Sequence, residues 1–102
     1  MSTLGPLSYN ELIVLQALSA GCRYGFEVMA MTELSGGTVY PILRRCEVRR
    51  HVASRREEDA EAHADGRPAR RLHTITALGR EVLVLAREQL MARHRVLGLL
   101  EP

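Results

Sequence analysis

A mainly α-helical domain carrying one small β-hairpin is the fold predicted by this sequence of 102 residues. Three observations predict it. Apolar residues recur at helical spacing in four separate stretches. Strand-like runs occur only twice, on either side of a polar loop that holds Gly66 and Pro68. The apolar fraction is 46%, yet the aromatic residues are only Tyr9, Tyr24, Phe26 and Tyr40, so aliphatic helices must supply the core. The length suits one domain.

The first predicted helix runs from Leu7 to Ala20. Pro6 stands near its start, Leu12, Leu15 and Leu18 with Ile13 and Val14 form a wide apolar stripe, and Gly21 ends it. Tyr24 to about Thr32 makes a second, short helix, with Phe26, Val28 and Met29 expected inward. A turn at Leu34-Ser35-Gly36-Gly37 leads to a third helix over about 36–49, whose buried face is Val39, Ile42, Leu43 and Cys46. Its start has two readings. With Ser35 as N-cap, Pro41 lies past the first turn and costs a hydrogen bond; with Thr38 as N-cap, Pro41 is the third helical residue. Val52 and Ser54 to Glu57 form one strand and Arg71 to Thr76 the other, joined by a hairpin loop from Glu58 to Pro68. Thr76 then caps a long helix from Ala77 to about Leu99.

Three short helices followed by a hairpin is the winged helix-turn-helix arrangement, in which the third helix lies in the major groove of DNA. Charge points the same way. The net charge is only +2, but all fourteen basic residues are arginines, and nine of them fall between residues 44 and 71. Residues 44–56 carry +5, residues 57–66 carry −5 and residues 67–80 carry +4. Clustering of this kind favours a polyanion. No apolar run approaches the roughly 20 residues of a membrane span, and the N-terminus lacks the pattern of a secretory signal, so the expected location is the cytoplasm. Cys22 and Cys46 make no disulfide framework. His51, His63, His73 and His94 share no ligand spacing with them, so neither a metal nor a cofactor is expected. No catalytic constellation stands out, and an enzyme is not expected.

Several segments resemble the PadR family, the phenolic-acid-responsive repressors and their relatives. They are Tyr24-Gly25-Phe26-Glu27-Val28, Gly37-Thr38-Val39-Tyr40-Pro41, Arg44-Arg45-Cys46-Glu47, and Ile75-Thr76 with Gly79. The resemblance extends from Leu4 to about Arg87 and is closest to the subgroup with a single C-terminal helix. It implies a homodimeric transcriptional regulator, usually a repressor on a palindromic operator, in some relatives released by a small aromatic or cationic compound. The chain departs from the family pattern in three places. Arg50 stands where a glycine usually ends the recognition helix, Leu72 and His73 replace an aromatic pair, and the last helix lacks the tryptophan that some multidrug-binding relatives use.

Residues 1–76 are therefore read as the DNA-binding unit and 77–102 as a dimerisation helix, together one compact body. Ser35, Gly37, Thr38, Tyr40, Pro41, Arg44 and Arg45 on the third helix are the expected DNA contacts, with Arg67, Arg70 and Arg71 from the wing. For the wing arginines the rival role is pairing with Glu57, Glu58 and Asp59. The last helix carries two apolar tracks. Leu78, Val82, Leu85, Ala92, Val96 and Leu99, with Gln89 between them, form one; Leu83, Ala86, Leu90, Leu97 and Leu100 form the other. Two tracks exceed what one small domain buries, so a second copy is the natural partner, and Leu7 is expected to join that interface. A small-molecule effector of unknown identity is expected beside Tyr9, Leu12, Gln89, Arg93 and Leu97. The alternative from another class is a winged-helix protein-interaction module without DNA binding, suggested by the acidic wing tip.

Overall fold

The computed structural model describes residues 7–64 and 66–99. Pro6 and Leu100, placed above at the first helix and on an apolar track, lie outside the described residues. The elements run α1 (Tyr9–Ser19), α2 (Gly25–Thr32), α3 (Gly36–Val48), β1 (Val52–Arg56), α4 (Asp59–Ala64), β2 (Arg71–Ile75) and α5 (Ala77–Val96). Strands β1 and β2 pair antiparallel, Val52 opposite Ile75 and Arg56 opposite Arg71.

Helix α1 is the centre of the domain. Ser8 caps it by accepting the Glu11 N–H at 3.1 Å, and Val14, Leu15, Ala17 and Leu18 are buried along it. Around it close Val28 from α2, Val39, Ile42, Leu43 and Cys46 from α3, Val52 and Ile75 from the hairpin, and Leu83 from α5. Burial, helped by nearby Glu11, pushes the Cys46 thiol up to about 11, so it is packed as a small apolar residue.

Helix ends define the turns. Helices α1, α3 and α5 all close with paired backbone bonds around one left-handed residue: Gly21 (φ 113°), Arg50 (φ 63°) and Gly98 (φ 75°). In α3 the Arg50 N–H reaches the Glu47 carbonyl at 3.0 Å and the His51 N–H reaches Cys46 at 2.9 Å. Arg50 thus occupies a conformation that glycine adopts without steric cost. Gly98 stops α5 at Val96, so Leu99 lies beyond the helix in which it was expected.

One open reading is settled, the start of α3, and three expectations change. Ser35 is the N-cap of α3, which makes Pro41 an interior residue and leaves the Gly37 carbonyl without its helical donor. Gly36 and Gly37 are the first two helical residues rather than a bend, and the chain reverses at left-handed Glu33 (φ 62°). Phe26 is 47% exposed instead of inward, because positions two apart on a helix cannot share the face that Val28 occupies. Finally, the wing loop is not irregular throughout. Residues 59–64 form α4, which buries Ala62 beneath it.

Candidate nucleic-acid interface

The exposed side of α3 divides by angle. At about 100° per residue, Gly37, Pro41, Arg44 and Val48 form its outermost line. Tyr40 and Glu47 flank that line towards the hairpin, and Thr38, Arg45 and Arg49 towards α1. The two flanks behave differently. Towards α1, the carboxylate of Glu11, 7% exposed, draws Arg49 to 3.1 Å and Arg45 to 3.5 Å. Thr38 is half-buried, its hydroxyl 3.4 Å from the exposed Ser35 hydroxyl. Arg44 stands between the flanks and makes no hydrogen bond or ion pair among the described residues. It borders two grooves, one with Pro41, Arg45, Val48 and Arg49, the other with Tyr40, Leu43, Glu47, Arg71 and His73.

Tyr40 keeps its place because of a missing atom. A Cβ on Gly25 would overlap the edge of the Tyr40 ring at Cε1 and Cζ, so the glycine of α2 is the seat on which the phenol rests. That ring is still 43% exposed, available at its rim to a partner. The first-turn N–H groups of Gly36 and Gly37 have no acceptor within the helix and carry the positive end of its dipole.

The wing is fastened to α3 by a polar network. Ser54 donates its hydroxyl to Glu47 and accepts from Arg71 Nε at 3.0 Å, while Arg71 Nε lies 3.7 Å from the same Glu47 carboxylate. His73 Nδ1 approaches Glu47 at 3.6 Å without a hydrogen bond. Burial lowers the pKa of His73, with Glu47 acting against it, so the ring is held neutral.

A sequence profile of the PadR-like transcriptional regulator family matches residues 14–84, from the middle of α1 to the second turn of α5. The chain belongs to the PadR-like family. It is a DNA-binding transcriptional regulator and not an enzyme. Solved structures share the fold of this PadR-like chain. A PadR family transcription regulator from hypervirulent Clostridium difficile is 19% identical with a TM-score of 0.78, covering 89% of this chain and 96% of its own. A transcriptional regulator from Clostridium thermocellum is 21% identical with a TM-score of 0.71, covering 88% and 90%. A protein of Streptococcus mutans is 21% identical with a TM-score of 0.66, covering 95% and 96%. No protein of curated function matches the chain significantly.

Of the three wing arginines expected at DNA, this PadR-like fold turns two inward. Arg67 forms a two-pronged ion pair with Glu57, one prong at 2.9 Å, and Arg70 lies over the rings of Tyr24 and Phe26 at 4.3 and 4.7 Å. Arg71 alone remains largely exposed, with 58% of its side chain open. Glu57, expected at the end of the first strand and at the start of the acidic block, is 3% exposed. A residue that the sequence reading missed is Val48, 84% exposed on the outer line of α3 next to Arg44. An apolar residue off the 39–42–43–46 stripe was the signal available for it.

Along α5, Leu83, Ala86 and Leu90 pack on the core. The other apolar track is open: Leu78, Leu85, Val96 and Leu99 are exposed, Gln89 and Ala92 with them, while Val82 and Leu7 are half-buried. The groove between α1 and α5, about 390 Å³, contains Tyr9 and Leu12 as expected. Its α5 wall is Arg87 and Leu90, not Gln89, Arg93 and Leu97, because α5 turns the Leu90 side towards α1. Among the described residues no helix is long and apolar enough to cross a membrane, and no three His, Cys, Asp or Glu side chains converge on a possible metal position.

Proposed function

We propose that the chain is a homodimeric repressor that binds a palindromic operator in the cytoplasm. In this reading residues 1–76 form the DNA-binding unit and 77–102 supply the dimer contact. The observation that carries it is Arg44, unpaired among the described residues on the outermost line of α3, with Tyr40 and Val48 beside it. A guanidinium so placed suits the paired acceptors of guanine, Val48 suits a thymine methyl, and the bare amides of Gly36 and Gly37 suit a phosphate. Arg71 adds a backbone contact from the wing. The open track of α5 meets its copy across a twofold axis, which sets two recognition helices about 34 Å apart, one turn of DNA. Bound at an operator, such a dimer blocks polymerase. The apolar groove at Tyr9, Leu12, Met31, Arg87 and Leu90 is the place where an effector changes the angle between α1 and α5, and with it the spacing of the two helices.

Binding to duplexes selected from the source genome tests this reading. Affinity should fall steeply with salt, as counterion release requires. Arg44→Ala should cost about 1–3 kcal/mol, roughly five- to 160-fold, and relax preference at one base position. Sedimentation at micromolar concentration should give a dimer. A monomer, or an Arg44→Ala protein that shifts the duplex as wild type does, removes the corresponding half of the proposal.

A further inference from the structure

Glu57 is the most heavily hydrogen-bonded buried carboxylate among the described residues. Tyr24 donates its phenol to it at 2.7 Å, Arg67 both ends of its guanidinium, and Arg70 its backbone N–H at 2.9 Å. In return the Glu57 N–H donates to the Arg70 carbonyl at 2.7 Å. Three segments distant in sequence thus converge on one side chain: the N-cap of α2, the end of β1 and the returning arm of the wing. The stacked rings of Tyr24 and Phe26, 5.4 Å apart, roof the site beneath the Arg70 guanidinium.

Stability alone does not account for this arrangement. An apolar cluster of the same volume generally stabilises a fold as well as a buried ion pair does, because desolvating two charges offsets their attraction. What a carboxylate with several directed donors adds is fixed geometry. Its geometry also leads somewhere. Tyr24, held by Glu57, adjoins Gly25, and Gly25 is the seat of Tyr40 on α3. One bonded phenol and one ring-on-glycine contact therefore connect the wing to the helix that meets DNA.

We propose that Glu57 is a positioning residue for DNA binding, holding the wing at a fixed angle to α3 through Tyr24 and Arg67 and keeping Arg67 from contacting DNA itself. This rests on the reading that α3 and the wing meet one duplex. It differs from the simpler view in which every wing arginine touches phosphate.

A double-mutant cycle with the full chain separates the two views, using a duplex selected by the wild-type protein. Glu57→Gln and Arg67→Gln are each expected to weaken binding about tenfold, and together no more than either alone, because both remove the same connection. The salt dependence stays as in wild type, since no phosphate contact is lost. Wing amides at 57–70 should exchange hydrogen faster in both variants, with α1 and α3 unchanged. The proposal is overturned if Arg67→Gln lowers the salt slope by about 0.9, the signature of one lost phosphate contact. It is equally overturned if the two losses multiply, or if Glu57→Gln binds as well as wild type. Should circular dichroism show that Glu57→Gln does not fold, Tyr24→Phe takes its place in the cycle. That variant removes a single hydrogen bond, and an expected loss of about threefold must again fail to add to that of Arg67→Gln. Failure of the DNA reading itself shows separately, as a wild-type protein with no salt-dependent duplex binding.

Discussion

Arg44 and Arg67 come from the same arginine-rich stretch and meet opposite fates. Arg44 stands alone on the crest of α3, with grooves on both sides. Arg67 is only 20% exposed and spends its guanidinium on a carboxylate of the wing. Basic residues near a DNA-binding element are therefore of two kinds, those that face the ligand and those that shape the surface facing it. Composition counts both alike. Only the position of the nearest buried carboxylate tells them apart, Glu57 for the wing and Glu11 for the inner flank of α3.

The sharpest test of the α3 side avoids its arginines. Gly25→Ala puts a methyl where the Tyr40 ring lies, and overpacking of this kind costs about 1–3 kcal/mol. Thermal unfolding should fall accordingly, and duplex affinity should drop with it because Tyr40 loses its seat. If affinity holds while stability falls, Tyr40 belongs with the residues that shape the surface and not with those that face DNA.

Acid tests the wing side. The Arg67 guanidinium holds the Glu57 carboxyl well below the usual carboxylate range, against the opposing effect of burial. Its stabilisation is complete above the unfolded value of about 4.3 and is lost as pH falls below it. Burial lowers His51 and His73, with Arg49 adding to the shift at His51. Their contribution is complete above about 6.5 and declines below that, because the unfolded chain then takes up protons that the buried rings resist. Urea titrations across pH 8 to 3 should show a plateau, a decline starting near pH 6.5 and a second below about 4.3. Glu57→Gln should remove the second decline and spare the first.

The smallest expected effect lies at the end of α3. Arg50→Gly relieves a left-handed arginine and should stabilise the domain by about 0.5–1 kcal/mol. Its effect on duplex affinity should be within twofold, roughly 0.4 kcal/mol. A larger loss would add Arg50 to the residues that face DNA.

Much of this architecture was legible beforehand. The Leu12–Leu15–Leu18 stripe, the 39–42–43–46 face and the cap at Thr76 are local signals, read over one or two helical turns, and the structure contains all of them. The start of α3 was ambiguous because Ser35 and Thr38 are both good caps, and only packing of α3 on α1 and α2 selects the longer helix. Helix α4 had a signal in its alternating acids and alanines, but Gly66 and Pro68 beside it point to a loop. Glu57 had none. Its burial depends on donors from residues 24, 67 and 70, and a charge sum along the chain cannot see a contact that spans 33 positions.

Glu11 sets a quantity that belongs to the genome more than to the domain. By drawing Arg45 and Arg49 back, it leaves Arg44 as the one uncommitted guanidinium of α3 among the described residues. A single bidentate reading of guanine discriminates by roughly 1–3 kcal/mol, whereas a chromosome offers about 10⁶ or more wrong sites. One helix alone is therefore too poor an instrument to find an address. In the dimer proposed above, selectivity comes from reading twice and from the shape of the intervening duplex, so base changes between the half-sites should matter even where no side chain touches them.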